Sequence, residues 1–412
     1  MSRRVIFLNR FFFPDHSATS QILADLAFHL AKEGQQVHVI ASRQLYDDPA
    51  ARLPPRESIQ GVEVHRVSTT KFGRHFLLGR AVDYVSFYVP SAFKVLSVAR
   101  RGDVVVAKTD PPMLSVLISA LASLRGYKTI NWLHDLYPEV AAELGVSGVK
   151  GAIGRALIGL RNASLRRAVM NVAIGNDMAT RVRGMGVPQK RLSVVTNWSD
   201  DDSIRPQEAE TNPLRRKWSL QHKFVVAYSG NLGRAHDIDT LLQAAEILRN
   251  HREVVFLIIG GGRGMADLAT EVQSRGLGNF RFEPYQPREM LSASLGAADV
   301  HWLSLKPGLD GLMLPSKFYG IAAAGRPILI VGSPDGELAK LVASHECGYC
   351  VQPGRGAELA NHIVRLSNDP QECRKKGVNA RQMLEENLTK SRSLAQWRAI
   401  VRATAESGIA ES

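Results

Sequence analysis

Hydrophobic and polar positions along the chain form two kinds of segment that follow one another in turn. Short apolar runs of strand length, such as RVIFLN and QVHVIAS, are separated by longer stretches in which apolar residues recur every three or four positions, such as ATSQILADLAFHLAKEG. The first pattern predicts a buried strand and the second an amphipathic helix. Strands that alternate with helices predict parallel, doubly wound α/β sheets.

The alternation occurs in two sets. The first set closes with the strand LSVVTN, and the second opens with FVVAYSG. The segment between them, WSDDDSIRPQEAETN, is polar and acidic and contains proline, which is typical of a linker. We expect its acidic run, Asp200 to Asp202, to form a solvated turn rather than a metal site. Two sets predict two Rossmann-like domains, since a chain of 412 residues exceeds the roughly 250–300 residues of a single core.

The charge and composition narrow the choice of partner. The formal net charge is +13 and the isoelectric point is near 9.8, which indicates attraction to an anion such as nucleic acid, a membrane surface or a phosphorylated substrate. Two of the three cysteines, Cys347 and Cys350, have C-x-x-C spacing, but no second pair is present to complete a zinc site, so we expect reduced thiols. The longest apolar stretches are shorter than the ~20 residues of a membrane span, and no span is predicted.

One stretch, DGLMLPSKFYGIAAAGRP, combines an anion-binding pattern with a small-residue helix. The apolar strand VHWLSL leads into a Pro/Gly loop, and the helix begins at about Ser316. Free N–H groups and the positive end of the helix dipole favour a phosphate there, and Lys317 adds a full charge. The alternative is an ordinary Ser N-cap followed by a solvated Lys.

The order of motifs along the whole chain resembles a known family. FFFPDHSATSQ is followed by WLHDLYPE, VVTNW, YSGNLGRAHDIDTLLQAA, LIIGGG, FEPYQPREM and LPSKFYGIAAAGRP. This order is similar to that of the retaining glycosyltransferases of the GT-B fold, family 4 (group 1), in particular the colanic-acid, O-antigen and capsule biosynthesis enzymes. The resemblance implies an α/β fold of two Rossmann-like, doubly wound parallel-sheet domains facing a cleft.

The resemblance also implies a division of labour. Residues 1–198, with a returning C-terminal helix at about 391–412, would bind the acceptor, and residues 199–390 would bind the nucleotide sugar. The catalytic candidates are His134, Asp135, Arg234 and Lys317. The donor-binding candidates are Gly230, Asn231, His236, Glu283, Tyr285, Asp310, Gly311 and Ser316. No cofactor and no metal are expected, because cationic side chains and helix N-termini would neutralise the leaving diphosphate.

Some positions depart from the family pattern. The two glutamates that the family places with seven residues between them would fall on Leu312 and Gly320, and neither residue is acidic. Many members carry Arg at the position of Asn231 and Lys at that of His236. A non-catalytic GT-B protein that binds a nucleotide sugar or glycan as the partner of another transferase therefore stays as the alternative to an active enzyme. Sugar-nucleotide epimerases of the same fold are disfavoured, since their acidic and His residues are not evident.

Candidate residues of the first domain have ordinary alternatives. His134 and Asp135 follow an apolar strand, where cleft residues of parallel sheets collect, and His can assist proton movement near neutral pH. The alternative is a turn cap and a satisfied strand-end residue. Capping is likewise the default for the first strand-to-helix loop, whose family position implies acceptor contact. Its candidates are Asp15, His16, Ser17 and Thr19.

Two basic segments carry interleaved aromatic and apolar residues, one between Lys71 and Arg101 and the other between Val149 and Arg167. Such faces suit an anionic bilayer surface, although a helix with a solvated basic side gives the same pattern. We expect a lipid-linked saccharide acceptor and a peripheral location on the cytoplasmic face of the inner membrane. Nucleic acid is disfavoured as a partner because no recognised binding module appears.

Overall fold

A computed structural model describes residues 3–72, 77–146, 149 and 151–407. The chain forms two compact units, unit 1 from Met1–Thr196 with Ser393–Ser412, and unit 2 from Asn197–Arg392. Parts of the two basic segments, at residues 73–76 and at Lys150, lie outside the described residues. No helix of the described part is long and apolar enough to cross a bilayer.

Unit 1 is built on one sheet with helices between its strands. The strands are β1 (Val5–Leu8), β2 (Val37–Ser42), β3 (Arg56–Ile59), β4 (Val62–Val67), β5 (Val104–Ala107), β6 (Lys128–Leu133), β7 (Met170–Ala173) and β8 (Leu192–Val194). The helices are α1 (Ala18–Lys32), α2 (Leu77–Val98), α3 (Leu114–Arg125), α4 (Glu139–Glu143), α5 (Gly151–Arg167) and α6 (Asn176–Gly184).

The strand order in this sheet is β3-β4-β2-β1-β5-β6-β7-β8, and the neighbours other than β3 and β4 run parallel. The antiparallel β3 was not predicted. Its side chains are exposed or partly exposed in alternation, so it lacks the apolar run of the other strands. A tight turn at Gln60 and Gly61, both with positive φ, joins it to β4 and makes a hairpin at the sheet edge.

Unit 2 repeats the plan with six strands in the order β11-β10-β9-β12-β13-β14, all parallel. Its strands are β9 (Phe224–Asn231), β10 (Val254–Gly261), β11 (Phe280–Glu283), β12 (Val300–Ser304), β13 (Ile328–Val331) and β14 (Gly348–Val351). Its helices are α7 (Pro213–Lys217), α8 (Asp239–Ile247), α9 (Arg263–Ser274), α10 (Leu291–Gly296), α11 (Lys317–Ala323), α12 (Glu337–Ser344), α13 (Gly356–Asn368) and α14 (Pro370–Asn387).

Both sheets have the doubly wound form, which confirms the predicted fold class. In each unit the first strand, β1 or β9, lies in the middle of the sheet, and the chain winds outward on both sides of it. The loops on either side of such a reversal point leave in opposite directions and open a crevice at the carboxyl ends of the strands. In unit 1 this point lies between β1 and β5, and in unit 2 between β9 and β12.

The last helix, α15 (Lys390–Glu406), packs on the sheet of unit 1. The rings of Trp397 and Trp132 lie 4.4 Å apart, centroid to centroid, and both are buried. The Lys128 ammonium donates to the carbonyl oxygens of Thr404 at 2.9 Å and Ala405 at 3.0 Å. A Lys at a helix C-terminus also meets the negative end of the helix dipole. Aromatic packing and this cap together fix the helix on β6.

The linker segment differs from the sequence expectation. Asp201 is buried, and its carboxylate accepts from the Lys390 backbone N–H at 3.0 Å. Ile204 is also buried and belongs to the same hydrophobic cluster as Phe318 of α11. The prediction of a solvated acidic turn is wrong for Asp201, because the segment folds back onto unit 2.

Candidate active site

In unit 2, the loops after β9 and β12 carry most of the predicted donor residues, and three glycines bring their backbones close together. A Cβ on Gly230, the penultimate residue of β9 with a φ of 132°, would overlap Lys317 Cε. A Cβ on Gly260 would overlap the Gly230 carbonyl, and one on Gly262 would overlap Asn231 Oδ1. Only glycine leaves room for this approach of loop, lysine and helix.

Lys317 begins α11 and is partly exposed. Its ammonium lies 5.3 Å from the centroid of the buried Tyr228 ring. Burial lowers the pKa of Lys317 to about 8, so the side chain is still mainly protonated at pH 7. A lysine with this combination of charge and access can bind an anion that enters the loop.

His236 joins the ends of the two strands. Its Nδ1 lies 2.8 Å from the Ser304 carbonyl, which can only accept, so Nδ1 carries the proton. Its Nε2 lies 3.1 Å from the Tyr228 hydroxyl. Burial and the nearby Lys317 charge lower the pKa of His236 to about 3. The imidazole is therefore neutral, and its contacts tie the loop to β12.

The remaining loop candidates differ in exposure. Arg234 is exposed. Ser316 occupies the N-cap position of α11, but its hydroxyl makes no capping hydrogen bond, unlike the ordinary N-cap considered from the sequence. Asp310 Oδ1 lies close to Gly336 at the start of α12, and Gly311 follows with a φ of 70°. Asp310, Gly311 and Ser316 lie on the path of the chain from β12 to α11, whereas Arg234 lies in the loop after β9.

Glu283 and Tyr285 lie at the end of β11, on the other side of β10 from β9. The Glu283 carboxylate accepts from Arg281 Nε at 2.7 Å. The exposed Tyr285 ring rests against Gly261, where an added Cβ would lie 3.0 Å from its Cε2. Tyr285 thus offers an aromatic face beside the glycine-rich loop.

In unit 1, His134 and Asp135 follow β6 as predicted. The His134 ring is buried 5.1 Å from the Trp132 ring, and its Nε2 has no hydrogen-bond partner in the described structure. Burial, together with the charge of Lys108, holds the pKa of His134 well below its usual value of 6.5. Burial and the Asp110 charge raise the pKa of Asp135 to about 7, against a smaller opposite effect of Lys108. A carboxyl with this pKa can exchange a proton near neutrality.

The first strand-to-helix loop follows β1. The Asp15 carboxylate accepts from the Ser17 backbone N–H at 2.8 Å, from the Ser17 hydroxyl and from the Tyr46 backbone N–H. It is buried and holds the loop together, whereas the N-cap residue of α1, Ser17, makes no side-chain capping hydrogen bond. His16 is exposed, and Ser17 and Thr19 are partly exposed. These three can reach a ligand.

A lysine at the same edge of the sheet was not predicted from the sequence. Lys108 directly follows β5, lies between the ends of β1 and β6, and is 1% exposed. Its ammonium lies 3.7 Å from the centroid of the Trp132 ring. The signal was present as a charged residue at the end of the apolar run VVVA, in AKTDPP, where a strand of a doubly wound sheet reaches the crevice.

Comparison with known families covers both units. Residues 18–198 match the family "Glycosyl transferase 4-like domain", and residues 211–383 match "Glycosyl transferases group 1". The chain belongs to the group 1, or family 4, glycosyltransferases of the GT-B fold. It is thus a member of an enzyme family that transfers sugars.

Two curated relatives resemble this glycosyltransferase over most of their length. The probable glycosyltransferase WbjE of Pseudomonas aeruginosa is 27% identical over 353 residues, which cover 86% of this chain and 87% of WbjE. The putative colanic acid biosynthesis glycosyl transferase WcaI of Escherichia coli K12 is 27% identical over 398 residues, 93% of this chain and 96% of WcaI.

A solved structure supports the same fold. The Anabaena protein HepE in complex with UDP-glucose superimposes with a TM-score of 0.72 at 16% identity, covering 97% of this chain and 99% of HepE. At this level of identity the likeness concerns the fold. Among the described residues of this glycosyltransferase, no group of three or more His, Cys, Asp or Glu side chains is arranged to hold a metal ion.

The two positions where the family pattern places glutamates are closed. Leu312 is buried in the loop before α11. Gly320 is buried within α11, and an added Cβ there would lie 3.4 Å from both Leu295 Cδ1 and Ser199 Oγ. A longer side chain at Gly320 would press on these neighbours. The departure from the family pattern is therefore built into the packing of α11.

Proposed function

We propose that this glycosyltransferase moves a hexose, with retention of anomeric configuration, from a nucleoside-diphosphate donor to a lipid-linked saccharide acceptor during synthesis of a bacterial surface polysaccharide. The observation that carries the donor half is the crevice at the ends of β9 and β12. There, Gly230 has no side chain, and the partly exposed cation Lys317 packs directly against its backbone. A cation beside a close backbone approach suits a diphosphate.

The charge that develops during sugar transfer explains why cationic groups are needed at the donor site. When the bond from the anomeric carbon to the diphosphate oxygen breaks, negative charge grows on the leaving phosphate and positive charge on the sugar ring. Lys317 and Arg234 neutralise the first, with the glycine-rich loop and Ser316 as neutral donors. Asp310 and Gly311 meet sugar hydroxyls, and Tyr285 and Glu283 lie near the base. The reaction requires no metal ion and no cofactor.

The comparisons support the substrate class. HepE, which shares the fold, binds UDP-glucose in its solved complex, and WcaI is named for colanic acid biosynthesis. In unit 1, His134 and Asp135 face the acceptor end of the reaction in our proposal. His16, Ser17 and Thr19 contact acceptor hydroxyls, while Asp15 shapes their loop.

A lipid-linked acceptor requires access to a membrane, and unit 1 offers a surface for it. Helix α2 exposes apolar residues three and four positions apart, and α3 packs beside both α2 and α5. Exposed arginines, such as Arg100 and Arg155, lie on the same segments. Aromatic and aliphatic side chains flanked by arginines suit the surface of an anionic bilayer. The exposed apolar residues on α2 and α5 are Val82, Val85, Val89, Phe93, Ile153 and Leu160.

Vesicle flotation tests the membrane proposal. The protein should float with phosphatidylglycerol vesicles at low salt, and much less with phosphatidylcholine vesicles or at high salt, because each Lys or Arg near the surface contributes about 1 kcal/mol. Phe93→Ser should weaken flotation. The matched control is Val378→Ser on α14, since Val378 is 59% exposed but lies in unit 2. Equal flotation of both variants would contradict this surface.

The donor proposal is tested by thermal unfolding with a panel of UDP-, GDP- and dTDP-sugars. A bound donor should raise the midpoint, because it binds only the native state. The best donor is then assayed for release of nucleoside diphosphate, with and without excess chelator, and the anomeric configuration of the product is read by proton NMR. Loss of activity in chelator, or an inverted product, would contradict the mechanism.

One observation favours the non-catalytic alternative. Leu312 and Gly320 are buried where the family has glutamates, so neither position offers a carboxylate to the donor; in the family pattern the second of these glutamates holds the nucleotide ribose. A partner protein without activity would bind a nucleotide sugar and give thermal stabilisation without release of nucleoside diphosphate. That outcome, across donors and acceptor extracts, would replace the transferase proposal.

A further inference from the structure

Three residues that follow neighbouring strands of unit 1 at their carboxyl ends each carry a buried polar atom. Asn9 Oδ1, Lys108 Nζ and His134 Nε2 follow β1, β5 and β6 respectively, and none has a hydrogen-bond partner within the described structure. Ala107 pairs in register with Leu8 and with Asn131, which sets Lys108 beside Asn9 and Trp132. Buried polar atoms are normally satisfied, so such a concentration points to function rather than to packing.

Lys108 is enclosed in a way that Lys317 is not. It is 1% exposed, and its ammonium lies 3.7 Å from the centroid of the Trp132 ring. The Trp397 ring in turn packs on Trp132, with the two ring centroids 4.4 Å apart. No substrate group reaches a side chain so covered. Lys108 can act only through its neighbours, and the charged neighbours are Asp110 and Asp135.

We propose that Lys108 is a positioning residue of the transfer reaction, which acts through the Asp135 carboxylate and the His134 imidazole without touching substrate. The proposal rests on the role given above to His134 and Asp135. In this arrangement, the Lys108 charge favours the ionised form of Asp135, and the Asp110 charge opposes it. The pair of opposite charges sets the pH range in which Asp135 can accept a proton.

The other charged and titratable groups around this cluster are engaged elsewhere. Arg161 is paired with Glu139 and donates to the Tyr137 carbonyl at 2.9 Å. Burial, with Tyr84 and Asp110, raises the pKa of Tyr88, whose hydroxyl donates to the Pro112 carbonyl, and the Arg10 guanidinium lies 3.9 Å from the Asp83 carboxylate. His134 is held neutral by burial and by Lys108. Lys108 and Asp110 are thus the two groups whose charges act on Asp135 with opposite sign.

The test uses two substitutions with opposite expected effects. Lys108→Met removes a positive charge and should raise the pKa of Asp135, while Asp110→Asn removes a negative charge and should lower it, each by about one unit. Carbon-13 NMR of protein labelled at aspartate carboxyls measures the titration directly, and Asp135→Asn identifies the signal. The acid limb of the pH profile for nucleoside diphosphate release should move in the same directions.

The outcomes separate this inference from the proposed function. If Asp135 titrates at the same pH in the parent and in both variants, Lys108 is not a positioning residue. If Asp135 shifts as expected but Asp135→Asn keeps the turnover and pH profile of the parent, the coupling exists and has no catalytic role, which overturns the inference together with the role of Asp135. If Lys108 had only a structural role, Lys108→Met would change stability, but the pKa of Asp135 would not shift in opposite directions in Lys108→Met and Asp110→Asn.

Discussion

Each unit holds a lysine at the crevice edge of its sheet, and the two lysines differ in access. Lys317 lies 5.3 Å from the centroid of Tyr228, and Lys108 lies 3.7 Å from that of Trp132. Burial lowers the pKa of both, and each helps to hold a nearby buried histidine neutral, His236 in unit 2 and His134 in unit 1. Lys317 keeps part of its surface open, whereas Lys108 is sealed.

The difference shows how one arrangement serves two purposes. An open cation can meet an anionic ligand directly, and the ligand supplies the hydrogen bonds that an isolated ammonium lacks. A sealed cation has no such partner and costs stability, since an unpaired buried charge is unfavourable by several kcal/mol. A protein that keeps a sealed lysine gains something other than stability from it, and the nearby Asp135 is the group that it influences.

The largest effect is expected from opening the sealed site. Trp397→Ala removes the ring that packs on Trp132 and should reduce the free energy of unfolding by about 3–5 kcal/mol, the usual range for a buried Trp. Lys108 should then react faster with amine reagents, detected by peptide mass mapping. Arg398→Ala, on the exposed side of α15, is the control and should change stability by less than about 1 kcal/mol. Unchanged labelling of Lys108 would show that Trp397 does not seal it.

Next in size is the loss of the open lysine. Lys317→Ala should lower turnover by roughly 10²-fold, the scale of a lost preorganised cation in the transition state. Arg234→Ala should act in the same direction. Lys306→Ala, an exposed lysine of the same loop, serves as control and should retain turnover. Steady-state release of nucleoside diphosphate gives both values, and parent-like activity of Lys317→Ala would remove the diphosphate assignment.

A smaller effect of opposite sign is expected for the sealed lysine. Lys108→Met should increase the free energy of unfolding by about 1–3 kcal/mol, because a hydrophobic side chain of similar length replaces a buried cation. The pKa of Lys108 is lowered from 10.5, so the unfolded chain holds its proton to higher pH than the folded chain. The stability gap between variant and parent should therefore narrow as pH rises towards 10.5. Urea unfolding at several pH values measures it, and a destabilised Met variant would refute it.

The smallest expected effect is the pH dependence of ligand binding at the open lysine. With a pKa of about 8, Lys317 loses its charge as pH rises through 8, and about one tenth stays protonated one unit higher. The affinity for the nucleoside diphosphate of the preferred donor should fall by up to about tenfold between pH 7 and pH 9. Calorimetric titration of the parent and of Lys317→Ala makes the comparison, and an equal pH dependence in both would assign the effect to another group.

Much of this architecture follows from the sequence alone. The alternation of apolar runs and periodic segments predicted the doubly wound sheets, because the local pattern of each element is enough to indicate a buried strand or an amphipathic helix. The position of Lys317 at a helix N-terminus followed from the small-residue segment after an apolar strand, and that of His134 and Asp135 from the rule that crevice residues collect at strand ends. The polar strand β3 was not predicted, because a strand at the edge of a sheet does not need an apolar run.

Only the tertiary structure decided how deeply single polar side chains are enclosed. Lys108 directly follows the apolar run VVVA, and no nearby residue in the sequence indicates that Trp132 from β6 covers it or that Trp397 from α15 packs on Trp132. Asp201 likewise lies in an acidic run that the sequence predicts to be solvated, but its carboxylate accepts from the Lys390 backbone N–H. Local sequence fixes periodicity, but the burial and pKa of an ionisable group depend on neighbours that arrive from distant parts of the chain.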